Sequence, residues 1–358
     1  MAGCDVLLCG TGSFAARIAF DLAATTRSPM RVTIVGRNTA RLDWLVTASN
    51  ARAKIFDKPI RFSGYEADLL ANGGAVRMID DISPLLVVQA ASAQTSSVIA
   101  QNDNPWAHFV REGGLSATAL AQTAVSLRVA EAMTASGQSG ALINCSFPDV
   151  VNEIIAAAGH KVLCGFGNVA ILSNVFAAAL EIETSRIKVL SHYQNLAAFR
   201  MPATERRGRT ARVWIDDVEV ADVFTKFSSV KLTPEPVIDI SGATGVPVIQ
   251  AFVEGREWYG HLPGPNGLPG GYPVRVRDRH IELDLPTALN DQEAIKWNCS
   301  FEQVNGLIVD KGDTIRFTGR LSELLREHNA SIAKGFHISE FQEAFTELQA
   351  IRSRLEAC

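Results

Sequence analysis

The six residues Gly10-Thr11-Gly12-Ser13-Phe14-Ala15 constrain this chain more than any other stretch. Before them stands "DVLLCG" (5–10), an apolar run of strand length. After them "SFAARIAFDLAATT" (13–26) carries Phe14, Ile18 and Leu22 at four-residue intervals, the spacing of one helix face. A GxGxxA turn between a buried strand and a helix has a physical meaning. The first glycine permits the tight turn, and the second lets the backbone approach a pyrophosphate seated on the helix N-terminus. The glycines alone are weak evidence, and their place between strand and helix is what adds weight. The competing reading is a structural turn in some other α/β protein.

The alternation continues. "RVTIVG" (31–36) predicts a second buried strand, "TARLDWLVTASNARA" a second helix, and "LLVVQAAS" (85–92) a further strand. "LSATALAQTAVSLRVAEAMTAS" predicts a helix and "GALINCS" a strand. Apolar strands alternating with helices imply a doubly wound, Rossmann-type parallel sheet over residues 1–145. Residues 146–358 have another character. "ARVWIDDVEVADVF" reads as a hairpin turning at Asp216-Asp217, and "YPVRVRDRHIELDLP" as a second one with its turn at 277–279. In "SEFQEAFTELQAIRSRLEA", Ser339 and Gln342 are the expected capping box, and Phe341, Phe345, Leu348, Ile351 and Leu355 form one stripe. This half is expected to be an α+β domain for substrate and for assembly into a homodimer.

Composition excludes several classes. Of 358 residues 47% are hydrophobic and 20% charged, which suits a soluble globular core, and a net charge of −4 leaves no footprint for nucleic acid or acidic membranes. No apolar run reaches the length of a membrane span. Cys4, Cys9, Cys145, Cys164, Cys299 and Cys358 are scattered without CxxC pairs, so neither a zinc site nor a disulfide framework is expected. "DVLLCGTG" is too short for a secretory leader, and a reducing cytoplasm is the expectation.

The end of the second strand bears on which nucleotide binds. A ribose 2′-hydroxyl is ordinarily met there by an acid. Here the residues are Val35-Gly36-Arg37-Asn38, with no acid and with a guanidinium able to pair with a 2′-phosphate. The reading is NADP. The alternative is an Arg37 that stacks on adenine or faces water. Gly10, Thr11, Gly12, Ser13, Phe14, Arg37, Asn38, the small residues Ala90, Ala91 and Ser92, and Asn144 make up the expected cofactor site.

A second cluster stands in "IKVLSHYQNLAAF" (187–199), where an apolar strand ends in His192, Tyr193, Gln194 and Asn195. Histidine titrates near neutrality, so His192 is either an acid/base group or a satisfied polar residue at a strand end.

Taken in order, these segments resemble the lactate/malate dehydrogenase superfamily. "LINCSFPDVVNEI" is similar to its strand-plus-"NPVD" segment, with Asn144 beside the nicotinamide. "KVLCGFGNVAILSNVFAAAL" is similar to the start of its substrate domain, "LSHYQN" to the site of its catalytic histidine, and "ISGATGVPVIQAFVEG" to the helix whose threonine, here Thr244, borders the substrate. "GGYPVRVRDRHIELDLPTALNDQEA" resembles its late hairpin and final helix start. The resemblance implies His192 and Asn144 as catalytic residues, with Asn168, Asn174, Tyr193, Asn195 and Thr244 lining a small-molecule pocket. Residues 93–112 fall where the family carries a mobile lid, and Arg111 is either the lid arginine that polarises a carbonyl or a solvated charge.

Two departures stand against the matches. Ungapped alignment of "CGFGNVAILSN" puts Ile171 where the family has the Asp that orients the histidine, and Asn174 where it has the Arg that clamps a carboxylate. An amide cannot replace a guanidinium fork. The expectation is therefore an NADP(H)-dependent oxidoreductase acting on a polar carbinol, ketone or imine, but not a 2-hydroxy-acid dehydrogenase. Tyr193, Asn195 and Asn168 are the candidates to orient His192. Two rivals stay open. One is a metal-assisted enzyme similar to the NAD-dependent family 4 glycosidases, in which Cys164 and His192 would be ligands, although no metal is expected. The other is a dinucleotide-binding protein without turnover.

Overall fold

Strands form in the first half where branched apolar residues run together, and helices where small and apolar residues recur on one face. The computed structural model describes residues 3–94, 103–233, 237–310 and 312–357. β1 (Val6–Cys9) is buried at every position and lies between β2 (Met30–Gly36) and β4 (Leu86–Gln89). With β3 (Ile60–Glu66) and β5 (Ala141–Asn144) they form one parallel sheet in the order β3-β2-β1-β4-β5, with Val6 in register with both Val32 and Leu86. Leu163–Gly165 continues it by a single parallel bridge, in which Asn144 N–H donates to Cys164 O at 2.9 Å. The doubly wound sheet expected for residues 1–145 is thus present.

The crossover helices are α1 (Ser13–Thr25), α2 (Thr39–Ile55), α3 (Gly74–Ile82), and then α4 (Pro105–Gly113) followed by α5 (Ala119–Ala135). Ile18 and Leu22 of α1 are fully buried and Phe14 packs half-buried beside them. Each such burial contributes roughly 1.5–3 kcal/mol. β3 and α3 were not among the sequence expectations. β3 is an edge strand with only Ile60 and Phe62 buried, so its apolar signal is thin. Of the expected lid 93–112, residues 95–102 lie outside the described residues, as does Cys358. Residues 105–113 form α4, anchored by buried Trp106, Phe109 and Val110.

Beyond β5, α6 (Pro148–Ala157) and α7 (Asn168–Ala179) lead into antiparallel structure. β6 (Ile187–Leu190), β7 (Arg212–Ile215) and β8 (Val218–Glu219) form one sheet, with Asp216 and Asp217 at positive φ in the expected turn. A short helix, α8 (Val223–Lys226), then α9 (Ile238–Thr244) and α10 (Val246–Glu254) precede β9 (Trp258–Pro263), β10 (Gly271–Arg277) and β11 (His280–Leu283), which pair in the order β11-β10-β9. α11 (Asp291–Glu302) is followed by a third antiparallel sheet, β12 (Gly306–Asp310), β13 (Thr314–Thr318) and β14 (Phe336–His337), interrupted by α12 (Gly319–His328) and α13 (Ala330–Ala333).

The closing helix α14 (Phe341–Glu356) buries Phe341, Leu348 and Ile351 against the same cluster as Leu120, Leu127 and Leu7 of the first half. The C-terminal stretch therefore packs on the parallel-sheet layer. The division at residue 145 is our proposal, based on the change from parallel to antiparallel pairing. One local expectation is corrected. The capping box is formed by His337 and Glu340 on a 3₁₀ turn, not by Ser339 and Gln342, because Ser339 Oγ is held by His337 Nδ1 at 2.8 Å. Among the described residues no helix is long and apolar enough to cross a membrane.

Candidate active site

The glycine turn meets the cofactor requirements in its local geometry. Gly10 has φ +122°, and a Cβ there would stand 3.1 Å from Ala91 N and 3.2 Å from Ala90 C, so the turn runs against the end of β4 as only glycine allows. Gly12 is the N-cap of α1, and among the described residues no side chain caps that end and a Cβ on Gly12 would meet nothing within 4 Å. The helix N-terminus faces open space with the positive end of its dipole, and the residues present fit a dinucleotide's pyrophosphate. Thr11 is fixed by Arg41 Nε, which donates to its carbonyl at 3.1 Å, and Ser13 is exposed.

Arg37 lines a cleft of about 640 Å³ with Tyr65, Glu66, Asp68 and Arg77, a volume in the range of ligand sites. Asn38 uses its carbonyl to cap α2, accepting from Arg41 N–H at 2.9 Å. Where β4 and β5 end, a buried ladder joins the strands. Gln89 Nε2 donates to Ala91 O and to Ser126 Oγ, and Ser146 Oγ donates to Ala91 O at 3.1 Å. Asn144 accepts from Ser126 Oγ (2.8 Å) and Ser146 N–H (3.0 Å), and donates to Ser146 O (3.0 Å) and Asn152 Oδ1 (2.8 Å). Its amide is fully used inside the protein. Ser92 Oγ turns to Gln94 O.

His192 is held by the turn that closes β6. Ser191 exchanges both backbone bonds with Gly271 at the start of β10, at 3.2 and 2.8 Å. A Cβ on Gly271 would meet Val169 at 2.5 Å, so this approach also requires glycine. Asn195 closes the turn. Its Oδ1 accepts from His192 N–H at 2.9 Å, while its Nδ2 donates to Arg209 O. Asn195 thus fixes the backbone of His192 rather than its ring. The ring has no exposed surface, lies 4.8 Å from Phe301 in parallel stacking, and has Tyr193 at 4.4 Å.

Sequence reasoning missed the group beside it. Glu302, the last residue of α11, places Oε1 3.3 Å from His192 Nε2, and both side chains are buried. The oxygen stands off the line of a hydrogen bond, so Nε2 makes an ion-pair contact without a hydrogen-bond partner among the described residues. Glu302 also accepts from Leu307 N–H (2.7 Å), Ser116 Oγ (2.8 Å) and Gln194 Nε2 (3.4 Å). The one sequence hint was its place in the last helical turn, where the dipole disfavours an anion.

The remaining predicted residues divide. Asp149 in the first turn of α6 accepts from Asn168 Nδ2 and from Tyr193 N–H, at 3.2 Å in the latter case, which ties the His192 turn to the carboxyl edge of β5. Burial pushes its carboxyl up to about 8. Glu153, on the same helix, is also pushed up to about 8 by burial and then by Glu302. Glu153 keeps some exposed surface, whereas Asp149 is buried. Asn168 Oδ1, in a buried setting, has no hydrogen-bond partner among the described residues. Tyr193 OH contacts Ser116 Oγ at 3.1 Å, and burial raises its pKa.

His192, Tyr193, Asn195 and Asn168 thus meet at one place. Asn174 does not join them through a bond; it is exposed and donates back to Ala170 O. Thr244 Oγ1 accepts from Gly167 N–H and donates to Ser241 O, pinning the start of α7. Arg111 is exposed on α4, beside His108 (2.9 Å) and Asp103 (3.9 Å). Ile171 lies in the apolar core. Cys164 is buried in the sheet's core, which raises its thiol pKa, and among the described residues no three His, Cys, Asp or Glu side chains are grouped to hold a metal.

No protein-family model matches the chain, and no curated protein matches it in sequence. Solved structures do. Malate dehydrogenase from Picrophilus torridus matches with TM-score 0.54 at 11% identity, over 84% of this chain and 95% of that one. Lactate dehydrogenase from Eimeria maxima, solved with NADH and oxamate, gives 0.52 at 13%, over 84% and 94%. Cryptosporidium parvum malate dehydrogenase gives 0.52 at 12%, over 84% and 96%. With its glycine turn, five-stranded parallel sheet and following antiparallel half, this chain has the lactate/malate dehydrogenase fold.

Proposed function

We propose that the chain is an NADP(H)-dependent oxidoreductase that reduces a ketone or imine, or oxidises the matching carbinol or amine, with His192 moving the proton. The observation that carries this reading is the tie between Asp149 and Tyr193 N–H, 3.2 Å, which brings the His192 turn to the carboxyl edge of the parallel sheet. Ligands of open α/β sheets bind outside that edge.

The roles follow from position. Gly10, Gly12 and the N-terminus of α1 hold the pyrophosphate, and Arg37 meets the 2′-phosphate from the 640 Å³ cleft. The nicotinamide, when bound, supplies the hydride chemistry. Asn144 fixes the end of β5 through Ser126 and Asn152. His192 gives or takes the proton that hydride transfer requires on oxygen or nitrogen. In this proposal Arg111 and Thr244 border the pocket. Ile171 in the core and Asn174 bonded to its own helix support a substrate other than a 2-hydroxy acid. We further propose a homodimer working in the cytoplasm.

Titration of both nucleotides against the protein, followed by a carbonyl and imine panel with NADPH, tests the reading. Tighter NADP than NAD binding and turnover of a non-carboxylate carbonyl are expected. Equal or tighter NAD binding, or robust malate oxidation, overturns it. A second reading has an observation of its own: the His192 ring has no exposed surface and the Asn144 amide is fully used. That favours a dinucleotide-binding protein without turnover, and tight NADP binding with an inert panel would select it.

A further inference from the structure

His192 needs an orienting group if it is to move a proton, and Ile171, in the apolar core, cannot be that group. We infer that Glu302 is the positioning residue of His192, holding its proton on Nε2 and leaving Nδ1 as the atom that exchanges protons. The inference rests on the oxidoreductase reading for its purpose, but its geometry stands apart from that reading.

Three observations carry it. The first is proximity. Nε2 and Glu302 Oε1 are 3.3 Å apart, with both side chains at 4% exposure or less. A carboxylate so close and so shielded from water acts on the imidazole far more strongly than it would on the surface. The second is tautomer. On the other side of the ring, Gln194 N–H points at Nδ1 from 3.5 Å. An N–H aimed at Nδ1 favours a lone pair there, which places the single proton of a neutral ring on Nε2, the nitrogen 3.3 Å from the carboxylate though off its hydrogen-bond line. The carboxylate's charge beside Nε2 favours the same tautomer. The Nδ1 contact is long, so Nδ1 is the nitrogen of the buried ring that can exchange its partner at least cost.

The third observation is that the site is built around this carboxylate. Leu307 N–H, Ser116 Oγ and Gln194 Nε2 converge on it from three separate segments. A Cβ on Gly306 would lie 1.8 Å from Oε2, so the start of β12 is cut to admit it. Phe301, the residue before it, stacks on the imidazole and fixes the ring plane.

The pairing is tested in the cofactor-free protein by NMR titration of the His192 imidazole, assigned by its loss in His192→Gln. The facing groups are Asp149 and Glu153 on α6, Tyr193 in the turn, Glu302 on α11, and Arg209, whose guanidinium stacks on Phe301. Glu302→Gln preserves shape and removes the charge. It is expected to convert part of the ring to the Nδ1–H tautomer and to change its titration, with Glu302→Asp restoring much of both. An unchanged titration and tautomer in a folded Glu302→Gln protein overturns the inference.

In the assay, Glu302→Gln is expected to lose about 10- to 100-fold in kcat with nucleotide affinity unchanged, and to move the pH limb with the NMR pKa. If the imidazole responds but His192→Ala turns over normally, the pair exists and the acid/base reading fails. If His192→Ala is inactive while Glu302→Gln titrates and turns over as wild type, the acid/base reading survives and the Glu302 assignment fails.

Discussion

The glycine turn at 10–15 and the polar cluster around His192 are built in opposite ways. The turn is local. Its two glycines, the strand before and the helix after lie within one 20-residue stretch, and the open end of α1 follows from them. The cluster is assembled. Ser116, Asp149, Asn168, His192 to Asn195 and Glu302 arrive from five separate segments, brought together by the Ser191–Gly271 bridge and the Asp149–Tyr193 bond. A local site depends on the backbone geometry of a few residues. An assembled one depends on the tertiary fold, and perturbing any of its parts should be felt by the rest.

The largest expected effect lies in the assembled region. Asp149 has its carboxyl raised from 3.8 to about 8 by burial. The folded protein therefore holds a proton there that the unfolded chain has released. Stability from this group is fully present below about pH 4 and is lost as pH rises toward 8, on the order of 5 kcal/mol at about 1.4 kcal/mol per unit. Asp149→Asn keeps an acceptor for Tyr193 N–H and cannot ionise. Its denaturation midpoint is expected to fall less than the wild type's between pH 5 and 8. Parallel pH profiles would show that this buried acid does not set the slope.

Next is His192→Ala, which should leave NADP affinity intact and reduce turnover about 10²–10⁴-fold. A nucleotide titration beside steady-state kinetics separates the two. If both fall together, the local and assembled regions are not independent. Arg37→Asp is the reverse experiment. Losing a charge-assisted contact of about 1.5–3 kcal/mol, it should weaken NADP binding roughly ten- to a hundredfold, spare NAD, and leave the His192 titration unmoved. The smallest effect is expected from Ser116→Ala. It removes one donor to Glu302 and one partner of Tyr193 OH, for about 1 kcal/mol of stability. A double-mutant cycle with Glu302→Gln should show the two to be coupled, and strict additivity would mean that the ring of bonds does not act as a unit.

What the amino-acid order determined by itself is the part governed by short-range rules. Apolar strands β1, β2, β4 and β5, the turn at Gly10–Gly12, the absence of an acid after Val35 and the Asp216-Asp217 hairpin all rest on residues within a few positions of one another. His192 and Tyr193 were legible as polar groups at the end of an apolar strand. Tertiary structure decided their company. Asn195 was a candidate to orient the ring and instead caps the turn, because its Oδ1 reaches His192 N–H first. Asn38 caps α2, and Asn144 is absorbed by Ser126, Ser146 and Asn152. Glu302 lies 110 positions from His192 at the end of a helix, with no spacing rule to link them. Amide and carboxylate side chains look alike in any sequence. Which of them faces a helix end, a strand end or an imidazole depends on which backbone N–H groups burial leaves in need of an acceptor, and only the packed fold sets that.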